Sequence, residues 1–500
     1  MKAKPIMIQG TMSGVGKSLI TAGLCRVFAQ DGYRVAPFKS QNMALNSAIT
    51  ADGSEMGRAQ VVQAEAAGVP PEAAMNPILL KPTSDVGSQV IVNGRVRATM
   101  GAREYYAYKH QLVPDIVRAY DDLASRFDII VIEGAGSPAE VNLKDGDIVN
   151  MGMAKMAQAP VLLVGDIDRG GVFAQLLGTL MLLDEDERRL CKGLVVNKFR
   201  GDKGILDPGL GILRERSGLP VLGVVPYADV DIDDEDSLSE RLHAHRAAPL
   251  VDIAVIRFPR ISNFTDFLAL DAIEGVGVRY VRRAAEMGAP DLIILPGTKS
   301  TLPDLRWLRE SGLEAVVLKR AAAGVPVFGI CGGYQMLGLE VSDPEGAEGG
   351  GTMRGLGLLP VRTVFTQEKR QIRRSGRVAE LGGVLAPLSG VPVEGYEIHM
   401  GTTTLVEDAA CLLEPSEAGT SADGCQRNSV YGTYLHGIFD NRECAQALVD
   451  ALLQAKGVSA GSAEAVDLHA YKQRQYDEVA AVLRQNLDME AIYRIVDAGV

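Results

Sequence analysis

The first 30 residues contain a strand, a glycine-rich loop and a helix in direct succession, within the segment IMIQGTMSGVGKSLITAGLCRVF. In this context Gly14 and Gly16 let backbone N–H groups approach phosphate oxygens, Lys17 reaches the terminal phosphates, and Ser18 can ligate Mg²⁺ at the helix start. The loop is one residue longer than the usual form. The segment predicts a nucleotide phosphate site on an open parallel α/β sheet, with a mere strand-to-helix turn as the alternative.

Short aliphatic runs alternate with helical stretches along most of the chain, which predicts the α/β class with parallel sheets and crossover helices. The pattern breaks into an acidic and then a basic polar stretch, DVDIDDEDSLSERLHAHRAAP. We therefore expect a phosphate-loop domain at 1–228, a linker at 229–249 and a second α/β domain at 250–500 that includes the C-terminal helices. The glycine-rich segment 340–357 is predicted to be a flexible loop. The predicted strands are 5–9, 34–39, 128–133, 160–168, 193–198 and 220–226, then 251–258, 291–296, 326–330 and 430–435.

Composition excludes several classes of protein. The 500 residues carry 51 Lys and Arg against 63 Asp and Glu, a net charge of −12, which argues against nucleic-acid binding through a basic face. Neither a signal peptide nor a membrane-length apolar run is evident. Six scattered cysteines contain no C-x-x-C pair, so neither a disulfide framework nor a zinc site is indicated. We expect a cytoplasmic protein without membrane or nucleic-acid partners.

Other residues are predicted to complete the phosphate site. Glu133 ends the strand in FDIIVIEGAGS, where open α/β sheets bind ligands, and is the leading Mg²⁺ ligand. Asp52 or Glu55, in TADGSEMG, could complete the shell, unless they are solvated loop charges. Asn197, in VVNKF, ends another strand and could pair with the edge of adenine, with a strand-terminal cap as the alternative.

A second kind of chemistry is indicated by PVFGICGGYQML, an apolar strand followed by Cys331, two glycines and a helical pattern. This is typical of a nucleophile elbow, in which the helix N-terminus lowers the pKa of the thiol; a buried core cysteine is the alternative. Its base is predicted to be His436, in SVYGTYLHGIFDN, with His399, in GYEIHMG, as the competitor. Either could instead be a core histidine. The glycine loop at 295–301, LPGTKST, could form an oxyanion hole.

The segment GICGGYQMLG, with a distant His after a strand, resembles the class I glutamine amidotransferases. The resemblance implies that Cys331 attacks the side-chain amide of glutamine and releases ammonia. The usual family has Glu two residues after the catalytic His, where this chain has Ile438. That departure resembles the cobyric acid and cobyrinic acid diamide synthase branch, and it leaves the group that orients His436 unknown.

The N-terminal half, with GTMSGVGKS, VIEGAGS and VVNK, is similar to dethiobiotin synthetase. Further segments are spread over nearly the whole chain: FKSQNMALNS, DGSEMGRAQVVQAEAAG, LLKPTSDVGSQVIVNG, AEVNLKDGDIVNMG, GDIDRGGVFAQLLGT, PGTKSTLPDL and GYEIHMG. Together they resemble the cobyric acid synthase family. The resemblance implies ATP- and glutamine-dependent amidation of adenosylcobyrinic acid a,c-diamide at its b, d, e and g carboxylates, through acyl phosphates.

Two weaker assignments accompany the resemblance. Lys39, at the second strand end, could hold phosphate or a substrate carboxylate, or be a surface lysine. Asp147, in DGDIVNMG, could position the corrinoid or ammonia, or cap a helix. One competing function is that of a cobyrinic acid a,c-diamide synthase, but the segments QNMALNS and KPTSDVGSQ favour the later amidation step. The other is that of a non-catalytic phosphate-loop partner protein, which would have no use for Cys331 and His436. The sequence leaves the oligomeric state open.

Overall fold

The computed structural model describes residues 2–83, 87–228, 230–232, 249–407, 409–416 and 421–500. Its two largest sheets each have six strands, and both are predominantly parallel with helices on their faces. The predicted α/β class is confirmed. Most of the predicted linker, 229–249, lies outside the described residues, so the domain boundaries stay a prediction.

The first sheet is entirely parallel, in the order β12-β11-β10-β1-β9-β2. Its buried aliphatic strands correspond closely to the six predicted in this half. The strands are β1 (Lys4–Gly10), β2 (Val35–Phe38), β9 (Ile129–Glu133), β10 (Val161–Asp166), β11 (Cys191–Phe199) and β12 (Val221–Pro226). The helices of this half are α1 (Lys17–Gln30), α2 (Arg58–Ala66), α3 (Ala102–Tyr108), α4 (Val113–Arg126), α5 (Met151–Ala157), α6 (Val172–Leu182), α7 (Glu185–Leu190) and α8 (Lys203–Ser217).

An insertion between β2 and β9 adds a small sheet and a hairpin that the sequence analysis did not predict. The small sheet has the order β3-β6-β7-β8, and the hairpin pairs β4 with β5. Three of them have only three residues, and the other three mix polar with apolar residues, unlike the aliphatic runs that mark the predicted strands. They are β3 (Gln41–Met43), β4 (Ser47–Ile49), β5 (Glu55–Gly57), β6 (Ile78–Pro82), β7 (Gly87–Val92) and β8 (Arg95–Gly101).

The second large sheet has the order β14-β13-β15-β16-β23-β22, and only β22 runs antiparallel to its neighbour. Four of these strands were predicted from the sequence, whereas β14 and β22 were not. The strands are β13 (Val251–Ile256), β14 (Val276–Val281), β15 (Leu292–Leu295), β16 (Val327–Ile330), β22 (Cys425–Arg427) and β23 (Val430–Thr433). The helices beside it are α9 (Leu268–Asp271), α10 (Thr301–Glu310), α11 (Leu313–Ala322), α12 (Gly332–Leu337) and α13 (Arg442–Ala455).

A further sheet, in the order β18-β17-β19-β20, lies beside the second large sheet, with β21 paired to β19. Part of the segment predicted to be a flexible loop, 340–357, forms its antiparallel pair β17 and β18. The Asp343 carboxylate holds the turn by accepting hydrogen bonds from the backbone N–H groups of Ala347, Glu348 and Gly350. The strands are β17 (Glu340–Asp343), β18 (Gly351–Arg354), β19 (Val361–Val378), β20 (Pro392–Leu405) and β21 (Leu413–Pro415).

The C-terminal helices α14 (Leu468–Asn486) and α15 (Met489–Ala498) pack on the first sheet, although the sequence analysis grouped them with the second domain. Val479, Leu483 and Ile492 are buried in one apolar cluster with β1 and α1. Packing on the first sheet removes this apolar stripe from water, and the hydrophobic effect therefore stabilises that position of the helices. We propose that these helices belong structurally to the phosphate-loop half. Within the described ranges, no helix has the length and apolar character needed to cross a membrane.

Candidate active sites

The glycine-rich loop lies between β1 and α1 at the carboxyl edge of the first sheet. Gly16 has φ 94°, and a Cβ there would lie 2.2 Å from the Asn197 side-chain nitrogen, so glycine is required. Gly14 has φ 75° and open space around its missing Cβ. Lys17 Nζ donates to the carbonyl oxygens of Met12 at 3.1 Å and Gly136 at 3.0 Å. The loop therefore has the backbone shape and the cation that a nucleotide phosphate requires.

Glu133 lies at the centre of the polar contacts beside this loop. Its Oε1 accepts hydrogen bonds from Ser18 Oγ at 2.8 Å and Lys39 Nζ at 3.1 Å, and its side chain is almost fully buried. Gln60 and Gln63, on α2, donate to its other oxygen, Oε2. The structure thus brings together the predicted Ser18, Lys39 and Glu133. The glutamines were missed, although two of them three residues apart on a buried helix face were a visible signal.

The residues beside the loop fit Mg²⁺, because Ser18 Oγ and Glu133 Oε1 are adjacent oxygen atoms of the kind that ligate this ion. Substrate phosphates commonly supply its further ligands. Within the described ranges, no group of three or more His, Cys, Asp or Glu side chains could hold a metal ion by itself. Asn197 Nδ2 donates to the Val15 carbonyl oxygen at 2.7 Å, and its buried Oδ1 has no hydrogen-bond partner among the described residues. Asn197 is therefore beside the loop, while its pairing with adenine stays a prediction.

Asp52 and Asp147 make local contacts instead. Asp52 accepts hydrogen bonds from Thr50 and Ser54 in the β4–β5 turn, and none of its described contacts involves Ser18 or Glu133. Asp147 accepts hydrogen bonds from the backbone N–H groups of residues 149, 150 and 152 in the turn that leads into α5. The N-cap residue of α5 is Asn150, so Asp147 is not itself the helix N-cap that was the alternative. Their roles toward metal and substrate stay predictions without a supporting contact.

Glu55, the other acidic candidate of that segment, is buried in an ion cluster between the two halves of the chain. Its carboxylate accepts hydrogen bonds from Lys81 at 2.9 Å and from Lys369 at 2.5 Å. Burial alone would raise the pKa of Glu55, but the two ammonium groups hold it well below its ordinary value. None of the described hydrogen bonds of Glu55 involves Ser18 or Glu133, so its role as a Mg²⁺ ligand stays a prediction without a supporting contact.

Cys331 stands between β16 and α12 with φ 53° and ψ −111°, a conformation that non-glycine residues rarely adopt. A Cβ at Gly333 would lie 1.9 Å from the Leu295 carbonyl oxygen, so the helix can approach β15 only with glycine there. Such strain persists where the surrounding structure enforces it, as at a nucleophile elbow. Cys331 therefore has the elbow geometry that its sequence context predicts.

His436 and Cys331 line the same cavity, and His436 Nδ1 is 2.6 Å from Asp266 Oδ2. Burial by itself lowers the pKa of His436, but the Asp266 carboxylate and Cys331 outweigh it and raise this pKa to about 10. Asp266 Oδ1 also accepts from the Gly437 backbone N–H. Asp266 is thus positioned to orient the imidazole, and the sequence analysis missed it. A single Asp in ISNFTDF, 170 residues from its partner, gave no signal.

His399, the competing candidate, lines the same cavity but its ring stacks on Tyr434 at 3.6 Å between centroids. Its Nε2 is 3.7 Å from Glu397, longer than a hydrogen bond. The predicted glycine loop 295–301 is also close, since a Cβ on Gly297 would lie 3.0 Å from His436 Cε1. This geometry favours His436 as the base, while the oxyanion hole stays a prediction.

Comparison with known proteins assigns a domain family to each half of the chain. Residues 6–238 match the CobQ/CobB/MinD/ParA nucleotide binding domain, and residues 252–444 match the CobB/CobQ-like glutamine amidotransferase domain. The chain is 59% identical to the cobyric acid synthase of Ruminiclostridium cellulolyticum, covering 100% of this chain and 98% of that one. It is 56% identical to that of Lachnoclostridium phytofermentans, covering 100% of both. The chain belongs to the cobyric acid synthase family. It is an ATP-dependent amidoligase with a glutamine amidotransferase domain.

In this member of the cobyric acid synthase family, both halves of the chain line the cavity beside Cys331. Lys81 comes from β6 of the first half, whereas Lys299, Gln335, Glu348 and Lys369 come from the second. Glu348 Oε2 accepts a hydrogen bond from the Thr301 backbone N–H at 2.7 Å. The cavity therefore presents an acidic and several basic side chains near the thiol, and burial raises the pKa of Glu348 to about 7.

Asp266→Asn is expected to lower glutamine hydrolysis by about 10²- to 10⁴-fold, because the imidazole loses the carboxylate that orients it. The pKa of His436, now raised to about 10, should fall toward its ordinary value near 6.5. The imidazolium would then deprotonate at lower pH, so the alkaline limb of the glutaminase pH profile should move down. Steady-state glutamate release measured across pH checks both effects.

Asp252→Asn is the matched control, since Asp252 pairs with Arg279 in the same half and touches neither Cys331 nor His436. It should leave the profile in place. An Asp266→Asn variant with normal glutaminase activity and an unmoved alkaline limb would show that another group orients His436.

Proposed function

We propose that this protein amidates the b, d, e and g carboxylates of adenosylcobyrinic acid a,c-diamide to give adenosylcobyric acid, using ATP and L-glutamine as the ammonia source. The observation that carries the proposal is full-length identity of more than half to cobyric acid synthases. Two further features support it: a phosphate site with Lys17, Ser18 and Glu133, and a thiol site with Cys331 and His436, in one chain.

In the glutaminase half, the Cys331 thiolate attacks the side-chain amide carbon of glutamine, and the His436 imidazolium protonates the leaving nitrogen as ammonia departs. The thioester that remains on Cys331 is hydrolysed to glutamate by water, with His436 as general base. Asp266 keeps the imidazole oriented through both steps. Lys299 and Glu348 offer the charges that suit the α-carboxylate and α-ammonium groups of a zwitterionic amino acid.

In the ligase half, a substrate carboxylate oxygen attacks the terminal phosphorus of ATP and ADP leaves. Ammonia then attacks the acyl phosphate carbon, and phosphate departs with loss of a proton to give the amide. Lys17 stabilises the charge on the transferring phosphoryl group. Ser18 and Glu133 would hold Mg²⁺, which neutralises phosphate charge when bound.

Mass spectrometry of the corrinoid after incubation with ATP, Mg²⁺ and glutamine tests the proposal. We expect four successive amide additions to the a,c-diamide, each accompanied by one ADP and one glutamate. Amidation of cobyrinic acid only at the a and c positions would instead identify a diamide synthase. ATP hydrolysis that forms no new amide on either corrinoid, cobyrinic acid or its a,c-diamide, would contradict amide synthesis altogether.

The four carboxylates surround one macrocycle, and a single phosphate site reaches one of them at a time. Reorientation of the ring within a pocket that binds its amides would break most contacts between the corrinoid and the protein. We therefore expect the corrinoid to dissociate after each amidation. Early sampling with excess substrate should show free triamide before the tetra-, penta- and hexaamide. Appearance of hexaamide alone from the first turnovers would show a processive enzyme.

A further inference from the structure

The loop 297–299, between β15 and α10, lies against the nucleophile elbow. A Cβ on Gly332, the residue after Cys331, would lie 2.7 Å from Thr298 Cγ2 and 3.1 Å from the Thr298 backbone nitrogen. Gly297 and Thr298 are buried, and among the described residues their backbone N–H groups have no hydrogen-bond partner. Buried backbone N–H groups are rarely left unpaired. These two therefore indicate a site for a ligand atom beside the thiol.

The segment that follows β13 pairs with this loop and fixes one side of it. The Ser262 backbone N–H donates to the Gly297 carbonyl oxygen at 2.9 Å. The Lys299 backbone N–H donates to the Arg260 carbonyl oxygen at 3.1 Å. The two segments thus run antiparallel over three residues, and the place of the loop depends on this short pairing.

Asp304, in the first turn of α10, connects both segments through its carboxylate. The side chain is buried, and its Oδ2 accepts hydrogen bonds from the Thr298 hydroxyl and, at 3.3 Å, from the Arg260 backbone N–H. The Thr298 hydroxyl in turn accepts from the Ser300 backbone N–H at 3.2 Å. Burial raises the pKa of the Asp304 carboxyl to about 6, so at pH 8 it is ionised and accepts both hydrogen bonds.

The position of the loop matters most when charge develops on the substrate. Attack of the Cys331 thiolate on the amide carbon of glutamine forms the C–S bond and moves the carbonyl π electrons onto the oxygen. Backbone N–H donors already in place stabilise this oxyanion, and removal of one such donor typically lowers kcat by about 10²- to 10³-fold. A misplacement of about 1 Å can cost about 10²-fold. Residues that hold the donors in place therefore affect the rate without touching the substrate.

We propose that Asp304 is a positioning residue for glutamine hydrolysis, which holds the loop 297–299 through the Thr298 hydroxyl so that the loop N–H groups meet the oxyanion. The inference rests on the proposed function and adds a residue to its glutaminase step. Asp304 is not among the residues that line the cavity beside Cys331, whereas Thr298 is. Asp304 thus acts on the reaction through Thr298.

The test compares Thr298→Val, which keeps the shape of threonine without its hydroxyl, with Thr298→Ser, which keeps the hydroxyl. At pH 8 we expect kcat for glutamate release to fall about 10- to 100-fold in Thr298→Val, with the KM for glutamine changed less than about twofold, because the oxyanion forms only during the reaction. Thr298→Ser should stay within about threefold of the wild type.

Substitutions of Asp304 should follow the same division. Asp304→Leu, which has no acceptor, should match Thr298→Val, whereas Asp304→Asn, which retains an acceptor oxygen, should match Thr298→Ser. Because both losses remove one contact, the double variant Thr298→Val/Asp304→Leu should fall no further than either single variant. If Asp304→Leu does not fold, the comparison of Thr298→Val with Thr298→Ser still decides the matter.

An aldehyde analogue of glutamine, glutamate γ-semialdehyde, gives a second measurement. The Cys331 sulfur adds to its aldehyde carbon, and the aldehyde oxygen takes the electron pair and a proton, so that this oxygen lies where the oxyanion forms. In Thr298→Val its inhibition constant should rise by the same factor by which kcat falls. A merely structural role of the hydroxyl would instead weaken glutamine and the aldehyde alike.

Thr363→Val is the matched control, because the Thr363 hydroxyl is also buried but bonds to Thr403 at 2.7 Å between β19 and β20, away from the cavity lining. It should keep wild-type kcat and inhibition. A wild-type kcat in Thr298→Val, or equal losses in Asp304→Asn and Asp304→Leu, would overturn the inference. Synthesis from ammonium chloride should proceed normally in every variant, whereas a wild type that makes no amide from ammonia refutes the proposed function itself.

Discussion

Cys331→Ser is expected to abolish amide synthesis from glutamine, by about 10⁴- to 10⁶-fold, while synthesis from ammonia stays close to normal. The hydroxyl of serine is a far weaker acid than a thiol, so His436 cannot hold it as the anion that attacks the amide carbon. The phosphate site has no contact with Cys331 among its described hydrogen bonds, which join Ser18, Lys39, Gln60 and Gln63 to Glu133. Amide formation with each nitrogen donor, measured on the same preparation, checks the result.

Cys444→Ala provides the control for loss of a buried thiol, since Cys444 is fully buried in α13 and lies outside the cavity beside Cys331. It should use both donors normally. Equal loss of both activities in Cys331→Ser would show that the substitution disturbs the whole fold. Undiminished use of glutamine would show that Cys331 is not the nucleophile.

Lys17→Met should reduce synthesis from both glutamine and ammonia by about 10²- to 10³-fold, since neither donor can attack a carboxylate that has not been phosphorylated. In the structure the Lys17 ammonium group is held by the Met12 and Gly136 carbonyl oxygens at the loop. Methionine keeps most of the stem volume but carries no charge for the phosphates. Corrinoid-dependent positional isotope exchange in ATP, which reports reversible acyl phosphate formation, should be lost as well.

Lys155→Met is a suitable comparison, because Lys155 pairs with Asp186 and Glu187 away from the loop. That variant should exchange isotope and form amide at wild-type rates. Glutamate release without nucleotide should persist in Lys17→Met, because Cys331 and His436 are untouched. Isotope exchange that continues in Lys17→Met would mean that another cation performs the phosphoryl transfer.

The local motifs were predictable from the sequence because each depends on neighbouring residues. The glycines of a glycine-rich loop determine its backbone conformation. The strand before it places the loop at the sheet edge, and the helix after it provides the dipole that favours phosphate binding. The same holds for the elbow at Cys331, where the glycines that permit the tight turn follow the nucleophile directly. Strand runs such as that of β10 were equally clear, since strands buried on both faces are continuously aliphatic.

Contacts between distant segments were decided only by the tertiary structure. Asp266 meets His436 across 170 residues, and Tyr396 meets Ser47 across 349, and neither pair leaves a periodic pattern in the chain. The C-terminal helices show an apolar stripe, but the stripe does not specify which of two sheets covers it. Local backbone preference and hydrophobic period act over a few residues. Which side chains meet is determined by how whole helices and strands pack. That packing brings the Asp266 carboxylate to the His436 imidazole and Tyr396 of the second half to Ser47 of the first.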